Sequence, residues 1–70
     1  MHKYEVVIYW SEDDGVFVAE VPELRGCSAH GDSPAAALDS AQEAIDLWLR
    51  TAEEFEREIP QPRGRRAQTV

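Results

Sequence analysis

The sequence predicts an α+β domain in which three short antiparallel strands precede one long helix, in the order β-β-β-α. Three observations carry this. Residues 4–21 alternate in the manner of strands, with Asp14-Gly15 as a hairpin signal between two β-rich runs. Ser33-Pro34 is a helix start, followed by apolar residues at steps of three and four. Between these two regimes lies Val21-Pro22-Glu23-Leu24-Arg25-Gly26-Cys27-Ser28-Ala29-His30-Gly31-Asp32, punctuated by one proline and two glycines.

The first strand is expected over residues 3–10, where β-branched and aromatic types suit a pleated, half-buried surface. Tyr4, Val6, Ile8 and Trp10 share one face and are expected to meet the core. Glu5, Val7 and Tyr9 share the other, which is less polar than a plain solvent face and suits contact with another subunit. Residues 16–21 give the second strand, with Phe17, Ala19 and Val21 in one row. Pro22 ends it, because proline cannot donate to a ladder. Residues 22–26 form a turn, and residues 27–30 a short third strand stopped by Gly31.

The helix is expected over residues 34–56. Ser33 supplies the N-cap (Asp32 is the alternative), and Pro34 occupies the first turn, where its missing N–H costs nothing. Leu38, Ala41, Ile45, Trp48, Leu49, Ala52 and Phe55 form the apolar stripe, with Asp46→Arg50 and Glu53→Arg57 as pairs four apart on the polar side. Leu47 points away from the stripe. Pro60-Gln61-Pro62 cannot extend the helix, and Ile59 suits a short C-terminal strand against the sheet. The domain is therefore expected over residues 1–62, with a mobile basic tail over residues 63–70.

At 70 residues the chain is one small domain, of a size that buries only about 60% of its unfolded surface and gains much from a partner. A single cysteine excludes an intramolecular disulfide framework, and no apolar run is long enough for a membrane span. The expectation is a soluble, cytoplasmic protein. Charge is lopsided. Residues 1–56 hold thirteen acids against three bases, a net of −10, while residues 57–70 carry +3. An acidic body repels nucleic-acid phosphates and steers a basic partner toward itself.

Candidate chemistry is thin. Cys27 and His30 have C-x-x-H spacing, but zinc wants four ligands and His2 is the only further soft or borderline donor. No third group orients the pair for nucleophilic work. Glu12, Asp13, Asp14, Glu20 and Glu23 would suit a divalent cation if gathered, yet Glu12–Asp14 have the ordinary composition of a hairpin tip, where they also suit a basic protein. Arg63, Arg65 and Arg66 lack the aromatic neighbours that stack nucleic-acid bases.

Taken in order, Tyr4-Glu5-Val6-Val7-Ile8-Tyr9-Trp10, Asp14-Gly15-Val16-Phe17-Val18-Ala19-Glu20-Val21-Pro22-Glu23-Leu24, Gly26-Cys27-Ser28-Ala29-His30-Gly31-Asp32-Ser33, Ala37-Leu38, Ala41-Gln42-Glu43-Ala44-Ile45 and Ile59-Pro60-Gln61-Pro62 resemble the HicB family of antitoxins. The resemblance spans residues 3–62. Arg25 stands where the family usually has proline, and Ala35-Ala36 replace an acidic first helical turn. The family implies a partly degraded ribonuclease-H-like fold and no catalysis; no cofactor or metal is expected. It implies a partner, the HicA-like toxin, a small basic mRNA-cleaving protein whose active site the antitoxin covers. With the acidic body, this makes Glu12, Asp13, Asp14, Glu20 and Glu23 the expected toxin contacts. Val7, Tyr9 and Leu47 are the expected contacts of a homo-oligomer. Many family members carry a C-terminal DNA-binding domain that represses their operon; residues 63–70 cannot form one, so direct DNA binding is not expected. The alternative is an orphan HicB-like oligomeric scaffold or binding module without a toxin.

Overall fold

The computed structural model describes residues 2–64. Strands β1 (Val7–Ser11), β2 (Val16–Glu20) and β3 (Ser28–Gly31) are followed by helix α1 (Pro34–Glu54). The three strands form one antiparallel sheet in the order β1-β2-β3, which is the α+β arrangement expected.

The β1–β2 turn has a local cause. Gly15 takes φ 65°, a left-handed conformation that favours glycine, and its N–H donates to the Ser11 carbonyl at 2.8 Å. Ser11 and Asp14 close the loop further: the Asp14 N–H donates to Ser11 Oγ (3.3 Å), and that hydroxyl donates to Asp14 Oδ2 (3.0 Å). The register then pairs Ser11 with Val16, Tyr9 with Val18 and Val7 with Glu20. Between β2 and β3 the chain turns around Leu24, which is buried to 1% exposure and is a core residue as much as a turn residue.

α1 begins as the sequence requires, with Ser33 Oγ accepting the Ala36 N–H at 3.1 Å and Pro34 in the first turn. The expected Asp32 alternative is not used. Ala37, Ala41, Ile45 and Ala52 are buried against the sheet. Ile45 joins Tyr4, Val21, Leu24 and Cys27 in one cluster, and Ala37 and Ala41 join Ala19 in another. Full burial of Ile45, Leu24 and Val21 is worth about 1.5–3 kcal/mol each. The second cluster is made of alanines, so the helix backbone lies very close to the strands. A Cβ built on Gly31 would stand 2.5 Å from the Ala37 nitrogen and 2.7 Å from the Ala36 carbonyl carbon. Gly31 is the last residue of β3 rather than a turn glycine, and only hydrogen fits there.

Four expectations need correction. Trp10 does not sink into the core: α1 packs mainly across β3 and β2 and touches β1 least, so Trp10 stays 48% exposed and rests edge-on against Phe17, with ring centroids 5.1 Å apart. The helix ends at Glu54, and Phe55 is 63% exposed instead of closing the stripe. The stop is a Schellman arrangement. Arg57 N–H reaches the Ala52 carbonyl, Glu56 N–H reaches that of Glu53, and Glu56 takes φ 53° in the place usually given to glycine. The Glu53–Arg57 pair is thereby broken up, with Arg57 5.9 Å over the Phe55 ring, and Asp46 turns to His2 (2.6 Å) rather than to Arg50. Finally, residues 57–64 contain no strand. They dock through side chains instead, Tyr4 Oη donating to the Pro60 carbonyl at 2.5 Å. Of the expected basic tail, residues 65–70 lie outside the described residues.

Gly31→Ala is expected to destabilise the fold by about 2–3 kcal/mol, because the clash is with backbone that cannot yield. Denaturant unfolding measures this directly. Glu56→Gly is expected to act the other way, raising stability by about 0.5–1 kcal/mol as a strained left-handed residue is relieved. A higher melting temperature is the readout.

Candidate functional site

With α1 on one face of the sheet, no element among the described residues covers the other, open face. Alternation along the strands assigns it Val7 and Tyr9 from β1, Val16, Val18 and Glu20 from β2, and Ser28 and His30 from β3. The register sets Tyr9, Val18 and His30 in one row and Val7, Glu20 and Ser28 in the next. The hairpin tip, Glu12 to Asp14, is exposed at one end of this face. Asp14 also borders a shallow concavity of about 450 Å³ floored by Val16 and Val18 and rimmed by Ser28 and His30.

Electrostatically the face is anionic. Tyr9 Oη donates to Glu20 Oε2 at 3.1 Å, and this bond, with smaller contributions from desolvation and the Glu20 and Asp14 charges, raises the phenol above its ordinary pKa. Of the five acids expected to contact a toxin, Glu12, Asp13, Asp14 and Glu20 are exposed and belong to this face or its tip. Glu23 has a different occupation. Its Oε2 accepts the Arg63 N–H at 2.9 Å and its Oε1 accepts the Glu5 N–H at 3.2 Å. One carboxylate thus ties the segment before β1 and the segment after α1 to the β2–β3 turn. The two backbone donors, Arg63 first, hold Glu23 below the usual carboxylate range. No local sequence signal marks this role, because both partners are backbone groups distant in the chain.

The three residues expected at a subunit contact are also divided. Val7 and Tyr9 lie on the open face, 40% and 42% exposed. Leu47, 59% exposed, lines a separate groove of about 310 Å³ with Trp48, Cys27 and Arg57. Trp48 is fixed there by its indole N–H, which donates to the Arg25 carbonyl at 2.9 Å.

The C-x-x-H pair is split by strand parity. Cys27 is buried toward α1, and burial raises its thiol pKa, while His30 is exposed on the open face. Among the described residues, no three His, Cys, Asp or Glu side chains gather as a metal site. No helix among them is long and apolar enough to cross a membrane.

An open, acid-bearing sheet face built from residues 7–30 belongs to a recognisable text. The model of the HicB-like antitoxins of bacterial toxin–antitoxin systems matches residues 4–68. The chain belongs to that family. The HicB-like chain is also 40% identical over 57 residues to the UPF0150 protein ssl0259 of Synechocystis, covering 81% of this chain and 77% of the relative. It is 34% identical over 58 residues to the UPF0150 protein Ta0767 of Thermoplasma acidophilum, covering 83% of each. A UPF0150 protein of Archaeoglobus fulgidus is 33% identical over 54 residues, with 77% of each chain covered. No solved structure matches the chain.

The depressed pKa of Glu23 fixes a sign. A carboxylate whose folded pKa lies below its unfolded value contributes stability that is present above the unfolded pKa and lost as pH falls through the folded one. Acidification is therefore expected to protonate Glu23 after ordinary glutamates, and only then to free the Arg63 and Glu5 amides. Amide hydrogen exchange across an acid titration reads this. Glu23→Gln is expected to weaken protection at the Arg63 amide at neutral pH while leaving α1 protected.

Proposed function

We propose that this HicB-like antitoxin domain neutralises a small, basic, mRNA-cleaving toxin of the HicA type by docking on it and covering its active site. The observation that carries this reading is the anionic open face within an antitoxin-family fold. Residues 1–56 carry thirteen acids against three bases, and Glu20 and the Glu12–Asp14 tip stand exposed on or beside a sheet face that no element covers among the described residues. A basic enzyme that must approach RNA phosphates presents the complementary charge, and such complementarity speeds encounter and excludes nucleic acid from the same surface. The semi-apolar floor of Val7, Tyr9, Val16 and Val18 supplies the desolvated centre that a protein interface needs inside a charged rim. In this role the chain is a binding protein and performs no catalysis.

Co-expression with a HicA-type ribonuclease encoded beside the gene is expected to restore growth, and the purified pair is expected to form a complex in which RNA cleavage is silenced. Glu20→Lys combined with Asp13→Lys is expected to weaken that complex by tenfold or more, about 1.4 kcal/mol, with the loss shrinking as salt is raised. Absence of both complex and rescue with the unaltered chain would sink the antitoxin reading. Full inhibition by the charge-reversed variant would move the contact off this face.

A further inference from the structure

We infer that β1 is the seat of a two-fold homodimer, in which the β1 strands of two copies pair antiparallel about Tyr9 and join two three-stranded sheets into one of six.

The hydrogen-bond phase of the sheet identifies which groups are available. The Val21 N–H donates to the Cys27 carbonyl at 3.0 Å. In an antiparallel ladder bonded pairs alternate, so Ala19 with Ala29 and Phe17 with Gly31 bond across β2–β3. Val16, Val18 and Glu20 then turn their peptide groups toward β1, where they meet Ser11, Tyr9 and Val7. The peptide groups of Ile8 and Trp10 are left pointing outward from the edge, and no strand pairs with them among the described residues.

Among the described residues this edge carries none of the usual guards. Natural edge strands are shortened, charged, kinked or covered. Val7-Ile8-Tyr9-Trp10-Ser11 has no charge, no proline and no glycine. The other edge, β3, is shorter, ends on Gly31 and is the strand α1 packs against most. Beside β1 the helix is thin cover, which leaves Trp10 48% exposed on one face while Val7 and Tyr9 are 40% and 42% exposed on the other.

A second copy satisfies this edge in a way that its symmetry allows. A two-fold axis at Tyr9 overlaps all five residues of β1, setting Ile8 opposite Trp10 and Val7 opposite Ser11 of the second copy. Ile8 and Trp10 are the residues with outward peptide groups, so each such pair exchanges two N–H···O bonds. Each Trp10 ring covers an Ile8 on the helix side, and the two Tyr9 side chains meet on the open side as a close, non-bonded pair. No acid faces an acid within the paired strands, since β1 holds none. A pairing confined to one five-residue strand falls short of the ~800 Å² per partner of a standard interface, so the dimer is expected to dissociate on dilution.

Sedimentation of the unaltered chain over a roughly hundredfold range of concentration is expected to show monomer and dimer exchanging. Tyr9→Lys sets like charges against each other across the axis while Glu20 still pairs the new side chain within each copy. It is expected to weaken association by roughly tenfold or more with unchanged far-UV dichroism. Tyr9→Cys serves as a second arm: mild oxidation is expected to link two copies covalently, with Cys27 buried and out of reach. A monomer at every concentration would overturn the proposal. So would a dimer indifferent to Tyr9→Lys, or crosslinking through Leu47→Cys but not Tyr9→Cys, which would place the second copy on the groove beside α1.

Discussion

The close approach of α1 to the end of β3 is the constraint from which the rest of the architecture follows. Gly31 lacks the Cβ that would strike the Ala36–Ala37 backbone, and Ala19, Ala37 and Ala41 are fully buried at the same contact. Four small residues let the helix lie low over β3 and β2. Farther along, Ile45 is the large side chain that fills the space before Leu24 and Val21. A helix pinned at that corner cannot also shield β1. The exposure of Trp10 and the thin cover over Ile8 are therefore consequences of the packing at Gly31, not separate accidents of composition.

Much of the fold was legible because its signals are local. Asp14-Gly15 sets the hairpin, Ser33-Pro34 sets the helix start, and the alternation of Phe17, Ala19 and Val21 marks the buried face of β2. What the residues did not disclose depends on contacts between distant segments. Gly31 read as a stop signal, since a glycine demanded by a neighbouring helix looks the same in text as one demanded by a turn. Leu24 read as turn filling, yet at 1% exposure it is nearly as buried as Ile45 in the helix. The helix end was hidden for the opposite reason. Glu56 takes a left-handed φ without being glycine, so the Schellman stop lacks its usual letter.

The acids show the same division between composition and role. Five carboxylates of the first twenty-three residues looked equivalent as binding candidates. The structure gives Glu23 a further role, because both its oxygens accept backbone N–H groups from segments forty and eighteen residues away. Glu20 differs from it by three positions, and it stays exposed while accepting the Tyr9 hydroxyl. Strand parity sorts Cys27 and His30 just as sharply, one into the core and one onto the open face. Spacing in the sequence proposes such constellations, and the pleat decides which of them exist.

Edge pairing and toxin docking make different demands on the sheet, and the geometry lets both be met. Stacking two open faces would press Glu20 and the hairpin acids of one copy against those of another. It would also desolvate the Tyr9–Glu20 pair, leaving a buried carboxylate without a cationic partner, at a cost of several kcal/mol. A homodimer is therefore disfavoured there, and a basic protein is not. Pairing at β1 avoids that cost because the strand is uncharged and the bonds run in the plane of the sheet. Two copies joined at that edge would carry both anionic faces on the same side of a continuous sheet. Each face would stay open to its own basic partner, or both to one partner large enough to span the axis. In the proposed arrangement the acidity that keeps copies from stacking would also reserve the face for a cationic protein.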